Sequence, residues 1–209
     1  MTYYQDRKQK KAYFELHKVV KGKILSGKPL TKEVLSKMLE LVSPDKKVVP
    51  HCAGLLSTNV LYFNYSKGKR VTVWFTKAQK QTMHFSKGLG IKDGAAWQPP
   101  LLWIAKDTNL TIYVLSDNKR PTLKSKLYEA KYPNVSNGSL CTGTAPKDKL
   151  RYATTVEQMM ELWHRIFWDS KFSHKSNIEF WKKQIKTGAK YPLVKLKQLT
   201  TLEKIIQSL

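Results

Sequence analysis

Short runs of apolar and aromatic residues, separated by turn residues, extend to about residue 131 and predict β-strands. Runs at residues 59–65 and 70–76 flank Ser66-Lys67-Gly68-Lys69, and runs at 101–105 and 110–115 flank Lys106-Asp107-Thr108-Asn109. Both arrangements are typical of β-hairpins. A strand pair or one bent strand is expected at 12–25, and shorter strands are expected at 83–85 and 127–131.

Apolar positions at helical spacing predict helices before and after this strand-rich region. Thr31 is the expected N-cap of a helix that ends near Ser43-Pro44. Thr154-Thr155-Val156-Glu157 predicts a capping box that opens a longer helix. The apolar face of that helix is formed by Val156, Met159, Met160, Trp163, Ile166 and Phe167.

Helical spacing resumes after Asn177, and a final short helix is expected from Thr200, with Glu203 completing a second capping box. Four segments carry no such pattern: a polar stretch at 1–11, a turn at 27–29, a Gly-rich loop at 87–98, and an irregular loop at 133–150. Since strands precede helices, the order predicts an α+β fold rather than a parallel doubly wound sheet.

The charge balance is strongly basic, with 38 Lys and Arg against 15 Asp and Glu, a formal net charge of +23. Such a surface attracts polyanions and acidic proteins. Three interpretations stay open: nucleic-acid binding, an acidic protein partner, or a lysine-rich source proteome. The excess of Lys over Arg argues against sequence-specific DNA reading, because Arg is the usual reader of base edges.

Cysteine content and hydropathy predict a soluble cytoplasmic protein without a membrane segment or metal site. The start of the chain lacks an apolar signal-peptide core, and the longest apolar stretch, at 99–105, is too short to span a bilayer. Cys52 and Cys141 are too few for a disulfide framework and are expected to be free thiols. Cys52 is interpreted as a packing residue, and no cofactor is expected.

Cys141 is the candidate chemical centre. It lies in the Asn-, Ser-, Gly- and Thr-rich loop at 133–150, where a thiol is expected to be more exposed than a structural Cys. Gly138 and Gly143 allow close backbone approach and unusual dihedral angles there. Asp148 and Glu157 are candidate acids by sequence proximity alone. His164, inside a helix, and His174, expected at a helix end, are not assigned to catalysis.

The segment Tyr132-Pro133-Asn134-Val135, followed by a short loop that ends in Gly138-Ser139-Leu140-Cys141, resembles the active-site segment of ubiquitin-conjugating (UBC) enzymes. In that family a His-Pro-Asn tripeptide precedes the catalytic Cys. Pro99-Pro100-Leu101 is similar to the Pro-Pro that leads into a family strand. Two departures stand out: Tyr132 replaces the usual His, and the seven-residue step from Asn134 to Cys141 is one residue shorter than is common.

A closer resemblance is to the protein B family of the PRTRC system, a prokaryotic, plasmid-associated gene set. Its members carry Pro-Pro-Leu, a Tyr-x-Asn-Val…Gly…Cys-x-Gly loop and a helix that ends near Phe-x-x-Ser-x-Phe-[Ser/Thr]-His. The chain matches the last motif from Phe167 to His174, and the clear likeness covers about residues 95–175.

This resemblance implies a UBC-like antiparallel meander sheet flanked by helices, with extra N-terminal strands. It divides the chain into a ubiquitin-conjugating-like domain at 1–175 and a basic helical C-terminal extension at 176–209. It also implies an enzyme, in which Cys141 takes a modifier as a thioester and passes it to a protein lysine. Asn134 would brace the loop or donate to the oxyanion, with Tyr132, Pro133, Gly138 and Gly143 as supporting loop residues.

The partners that the resemblance implies are an activating-enzyme-like, ThiF-related protein, a ubiquitin-like protein and a protein substrate. Two alternatives to the enzyme stay open at this point. One is an inactive scaffold on the same fold, and the other is a basic nucleic-acid-binding module of a plasmid-associated system.

Overall fold

The computed structural model describes residues 2–6, 11–31, 34–35, 38, 56–65, 70–143, 145, 147–194 and 196–209. The chain divides into two compact units, Met1–Lys46 and Lys47–Leu209. Cys52 and the turn at 66–69 lie outside the described residues. The predicted domain boundary after residue 175 stays a prediction.

The first unit contains an antiparallel sheet of β1 (Thr2–Asp6), β2 (Lys11–Val20) and β3 (Lys23–Pro29) in sequence order. The strand pair predicted at 12–25 is confirmed. The polar stretch at 1–11 carries no strand or helix pattern, yet Thr2–Asp6 forms a strand that pairs with β2. The turn predicted at 27–29 is wrong. Gly27 lies within β3 opposite His17, where a Cβ atom would come within 2.6 Å of the side chains of His17 and Glu15, so a larger residue would require them to move.

The predicted helix that follows is partly described: Val34, Leu35 and Met38 are helical. Thr31 caps its start, because its hydroxyl accepts a hydrogen bond from the Val34 N–H at 3.3 Å. The helix end predicted at Ser43-Pro44 lies outside the described residues.

The second unit is built on an antiparallel sheet whose central strands are β4 (Val60–Asn64), β5 (Val71–Thr76), β8 (Leu101–Lys106) and β9 (Asn109–Val114). They lie in the order β9-β8-β5-β4, so both predicted hairpins are confirmed. The short strands β11 (Val135–Ser136) and β12 (Ser139–Leu140) extend the sheet beyond β9. At the other end of β9, β10 (Lys126–Tyr128) pairs with β9 and with β14 (Gln198–Thr201).

A second, three-stranded sheet consists of β6 (Gln79–Phe85), β7 (Gly94–Gln98) and β13 (Lys171–Phe172), with β13 parallel to β6. The prediction of a loop throughout 87–98 is wrong, since only its first part, including a 3-10 turn at Lys87–Leu89, lacks strand structure. Gly94 has a structural reason: a Cβ atom there would come within 2.5 Å of Ile185.

Helices of the second unit contribute to a core on each face of the larger sheet. On one face, α1 (Val156–Trp168) buries Met159, Trp163 and Phe167 in the main core, and Trp181 of α2 (Ile178–Thr187) belongs to the same core. On the other face, Leu202 of α3 (Leu202–Gln207) packs with a smaller core. The mixed α+β class is therefore confirmed. In the described part of the chain, no helix is long and apolar enough to cross a membrane.

The helix caps differ in detail from the prediction. Thr155, not Thr154, caps α1, because its side chain accepts from the Gln158 backbone N–H. The side-chain oxygen of Gln158, Oε1, accepts from the Thr154 backbone N–H. The capping box therefore uses Gln158 in place of Glu157. The second capping box is wrong, since the side chain of Thr201, the N-cap of α3, makes no capping hydrogen bond.

His164 links α1 to the sheet through two tryptophans. Trp74 and Trp103 lie opposite each other on β5 and β8 with ring centroids 5.9 Å apart, and the Trp74 Nε1–H donates to His164 Nε2 at 3.0 Å. A ring nitrogen that accepts this bond carries no proton, so the imidazole is neutral. Burial lowers the pKa of His164 to about 4.

We expect acid to destabilise the fold through His164. As the pH falls from about 6.5 to about 4, the unfolded chain binds a proton that the folded chain excludes, so the free energy of unfolding decreases. For one group the loss is on the order of 3 kcal/mol. His164→Gln should lose less stability than wild type between pH 7 and pH 4 in denaturant unfolding. The exposed His174→Gln serves as control. Equal pH dependence in wild type and His164→Gln would contradict this role.

Candidate active site

A short hairpin positions Cys141. Strands β11 and β12 pair antiparallel, with Val135 opposite Leu140, and Cys141 is the next residue. The backbone N–H of Cys141 donates to the carbonyl of Asn134 at 2.8 Å, which extends the pairing by one step. The thiol is exposed and is not in a disulfide. The loop predicted at 133–150 is therefore not irregular throughout, which corrects the sequence interpretation.

The turn of this hairpin depends on Asn137 and Gly138. Both have positive φ angles, 49° and 82°, as a type I′ turn requires. Gly138 is buried against β9: its carbonyl accepts from the Ile112 N–H at 2.8 Å, and a Cβ atom on it would lie 3.1 Å from a Thr111 methyl group. The dipeptide Asn-Gly is a strong hairpin signal, so the sequence contained the information that was missed.

Tyr132 anchors the start of the loop in the core. The residue is fully buried, and its hydroxyl donates to the buried Gln98 side chain at 2.9 Å. Its ring stacks on Trp181 and meets Phe167 edge-on, with centroids 5.1 and 5.0 Å away. Burial raises the pKa of Tyr132 well above its ordinary value. Tyr132 therefore acts as a buried, neutral hydrogen-bond donor, not as a surface loop residue.

Residues around the start of α2 hydrogen-bond to the backbone that leads into the same loop. The Ser176 hydroxyl donates to the carbonyl of the buried Pro133 at 2.6 Å, and the Trp181 indole N–H donates to the Lys131 carbonyl at 2.5 Å. These bonds satisfy backbone carbonyls that enter the core ahead of the hairpin. Residues beyond 175 therefore help to position the candidate site.

Asn134 connects the hairpin to the segment that follows β13. Its side-chain oxygen accepts from the backbone N–H groups of Ser173 and His174, at 2.9 and 3.2 Å. Two N–H donors identify the atom that they face as the amide oxygen, which leaves the NH₂ group of the side chain for another acceptor. These hydrogen bonds tie Asn134 to the segment after β13. Its role in the reaction stays a prediction.

Cys141 and Asn134 line one cleft of about 550 Å³. One wall comes from the hairpin and the loop after it, and the other from the end of α1 and β13. The described residues that line it are Ser86, Asn134, Leu140, Cys141, Thr142, Gly143, Ala145, Ile166, Phe167, Ser170, Lys171, Phe172, Ser173 and His174.

The predicted site residues fall into two groups. Cys141, Asn134 and Gly143 line the cleft, whereas the buried Tyr132, Pro133 and Gly138 lie beneath the loop. Gly143, predicted as a supporting residue, therefore differs from the other three supporting residues in facing the cleft. The catalytic roles themselves stay predictions.

The two acids suggested by sequence proximity do not line the cleft. Asp148 lies in a 3-10 turn at Asp148–Tyr152, and Glu157 lies in the first turn of α1; both side chains are exposed. The described residues that line the cleft include no carboxylate. Among the described residues of the whole chain, no group of three or more His, Cys, Asp and Glu could hold a metal ion.

His174 is the residue that the sequence interpretation misplaced. It does not end a helix, because α1 ends at Trp168 and β13 intervenes. It is exposed and lines the cleft together with Cys141. Sequence distance gives no signal for this proximity, since the hydrogen bond from His174 to Asn134 spans 40 residues.

The chain matches the model of a protein family. The model of a family described as "Prokaryotic E2 family D" matches residues 34–204, which include the hairpin, the cleft, α1 and α2 and the start of α3. No curated protein and no solved structure matches the chain.

We expect Gly138→Ala to destabilise the hairpin more than Gly143→Ala. Both positions have positive φ, so both substitutions carry the cost of a left-handed alanine, about 1–2 kcal/mol. Only Gly138 also faces close contacts, since among the described residues beyond its chain neighbours no atom lies within 4 Å of the position of a Cβ on Gly143. Denaturant unfolding should show an additional loss of about 1–3 kcal/mol for Gly138→Ala. Equal losses would show that the turn tolerates the extra methyl group.

Proposed function

The chain belongs to prokaryotic E2 family D, and on that premise we propose that it is a ubiquitin-conjugating-like carrier that holds a ubiquitin-like modifier as a thioester on Cys141. The observation that carries the proposal is the exposed, free Cys141 thiol at a cleft that it shares with Asn134. An acyl carrier needs such access, because two large protein partners must reach the sulfur in turn.

Loading is a transthioesterification. The Cys141 thiolate attacks the carbonyl carbon of the modifier's C-terminal thioester on the activating enzyme. A carbon–sulfur bond to Cys141 forms, the bond to the activating enzyme's cysteine breaks, and that cysteine leaves as a thiolate. One thioester and one thiolate are consumed and one of each is formed, so the exchange requires no oxidant or reductant.

Transfer is an aminolysis. A substrate lysine attacks the thioester carbonyl as a neutral amine, a carbon–nitrogen bond forms, the bond to Cys141 Sγ breaks, and the nitrogen loses a proton. The negative charge that develops on the carbonyl oxygen needs a hydrogen-bond donor. Asn134 is the proposed donor. Its oxygen is held by Ser173 and His174, so its NH₂ group is the part left to serve the cleft.

The partners follow from the same proposal: an activating-enzyme-like, ThiF-related protein, a ubiquitin-like protein and a protein substrate, meeting in the cytoplasm. Membership of the PRTRC protein B branch stays a prediction. The net charge of +23 is compatible with the nucleic-acid alternative. Neither that alternative nor the inactive scaffold assigns a role to an exposed thiol in a cleft.

The carrier role predicts an adduct on Cys141. The chain would be mixed with its activating enzyme, the ubiquitin-like protein and ATP, and analysed on a non-reducing gel. We expect an adduct that disappears on reduction. Cys141→Ala should abolish it, and Cys141→Ser should give an adduct that resists thiols, because an oxyester replaces the thioester.

The other cysteine of the chain supplies the matched control, since Cys52→Ser should leave the adduct unchanged. Absence of any adduct with an activating enzyme that charges itself would overturn the carrier role and leave a scaffold on the same fold. Steeply salt-dependent DNA affinity that is indifferent to Cys141→Ser would then support the nucleic-acid alternative.

Asn134 variants separate its two proposed roles. Asn134→Asp keeps an oxygen that accepts from Ser173 and His174 but lacks the NH₂ donor, whereas Asn134→Ala lacks both. We expect the aspartate variant to unfold close to wild type yet transfer to lysine about 10²–10³-fold more slowly. The alanine variant should also lose about 0.5–1.5 kcal/mol of stability for each of the two lost hydrogen bonds, because Ser173 and His174 are exposed and water can reach their N–H groups. Wild-type transfer by Asn134→Asp would restrict Asn134 to bracing.

A further inference from the structure

Aminolysis at Cys141 leaves one requirement unassigned. A lysine amine carries its proton at neutral pH, and it must lose one proton before attack and another as the amide forms. A side chain that accepts a proton beside the reacting carbonyl typically contributes about 10²–10⁴-fold to such a step. The group has to lie in the cleft, because the carbonyl is attached to Cys141.

The cleft offers few groups that can accept a proton. The titratable side chains among its described lining residues are those of Cys141, Lys171 and His174. The sulfur of Cys141 is bonded to the acyl group during the step. A lysine ammonium donates hydrogen bonds and does not accept them. An imidazole is the side chain that takes up protons near neutral pH.

Apart from Lys171, which lines the cleft, the neighbouring charged groups lie outside it. Lys175, the next residue, lines a separate cleft with Glu179. Lys171 lies opposite His84 in the β13–β6 pair, and His84 Nδ1 pairs with Asp93 at 2.8 Å. Neither His84 nor Asp93 lines the Cys141 cleft.

Hydrogen bonds hold His174 and Cys141 to one residue. The Cys141 N–H donates to the Asn134 carbonyl at 2.8 Å, and the His174 N–H donates to the Asn134 side-chain oxygen at 3.2 Å. The thiol and the imidazole are thus carried by backbones that are both anchored to Asn134, on opposite walls of the cleft.

We infer that His174 is a catalytic residue of the transfer step and that its neutral imidazole accepts the proton that the substrate lysine releases as it attacks the Cys141 thioester. The inference rests on the proposed carrier function. The carbon–nitrogen bond forms, the carbon–sulfur bond breaks, Cys141 leaves as a thiolate, and the proton moves from nitrogen to the imidazole and then to water. Loading requires no such proton transfer, because both the attacking and the leaving group are thiolates.

The test separates loading from transfer. The chain is charged with the modifier, the activating enzyme is then stopped by removing ATP, and free lysine is added at a series of pH values from 6 to 8.5. The readout is the amide product of modifier and lysine. His174→Gln should load at the wild-type rate but transfer about 10²-fold more slowly, with a flatter pH profile.

Two further variants make the result specific to proton transfer. Lys175→Gln, an exposed neighbour outside the cleft, should keep wild-type transfer and its pH profile. His174→Ala should regain part of the amide product when imidazole is added, whereas wild type should not accelerate. A merely structural role for His174 would give no rescue by imidazole.

The outcomes are distinguishable. If no variant, including wild type, forms a thioester, the carrier function fails and the inference fails with it. If thioesters form and His174→Gln transfers to lysine with the wild-type rate and pH profile, the carrier function stands and the role of His174 is overturned. Unfolding of each variant by denaturant should match that of Lys175→Gln, which excludes a general loss of structure.

Discussion

The buried hydrogen bond from the Tyr132 hydroxyl to Gln98 fixes the point from which the rest of the candidate site is built. A tyrosine enters an apolar core at low cost only if its hydroxyl finds a partner, so this bond defines how deeply the chain is held. The Tyr132 ring contacts Phe167 of α1 and stacks on Trp181 of α2. The loop therefore leaves the core at a defined place, and Asn134 emerges two residues later.

Beyond Tyr132, backbone dihedral angles and backbone hydrogen bonds determine where Cys141 lies. The type I′ turn at Asn137 and Gly138 returns the chain after a two-residue strand, so that Cys141 lies beside Asn134. The same asparagine binds the segment at His174. Asn134 thus joins the two walls of the cleft, one through its backbone carbonyl and the other through its side-chain oxygen. Substitution of Asn134 is therefore expected to affect both stability and chemistry.

Sequence patterns predicted the parts of the fold whose signals are local. The β4–β5 and β8–β9 hairpins and the start of α1 follow from apolar runs, turn residues and caps within a few positions of one another. The errors share a different cause. The strand at Gly94–Gln98 and the strand position of Gly27 look like loop or turn sequences, because their glycines serve a close approach by Ile185 in one case and His17 in the other. These neighbours are distant in sequence or lie across a strand pair, so the hydrophobic periodicity of the sequence does not indicate them.

The sequence by itself determined the α+β class, the family likeness and the candidate thiol, because Tyr132-Pro133-Asn134 and Cys141 form a compact motif that can be recognised without coordinates. Only the tertiary structure decided which groups accompany that thiol. It removed Asp148 and Glu157 from the site and brought in His174, which follows β13 and reaches the loop through a hydrogen bond across 40 residues. The physical reason is that a cleft collects side chains from separate elements, and their proximity is fixed by sheet pairing and core packing, not by distance along the chain.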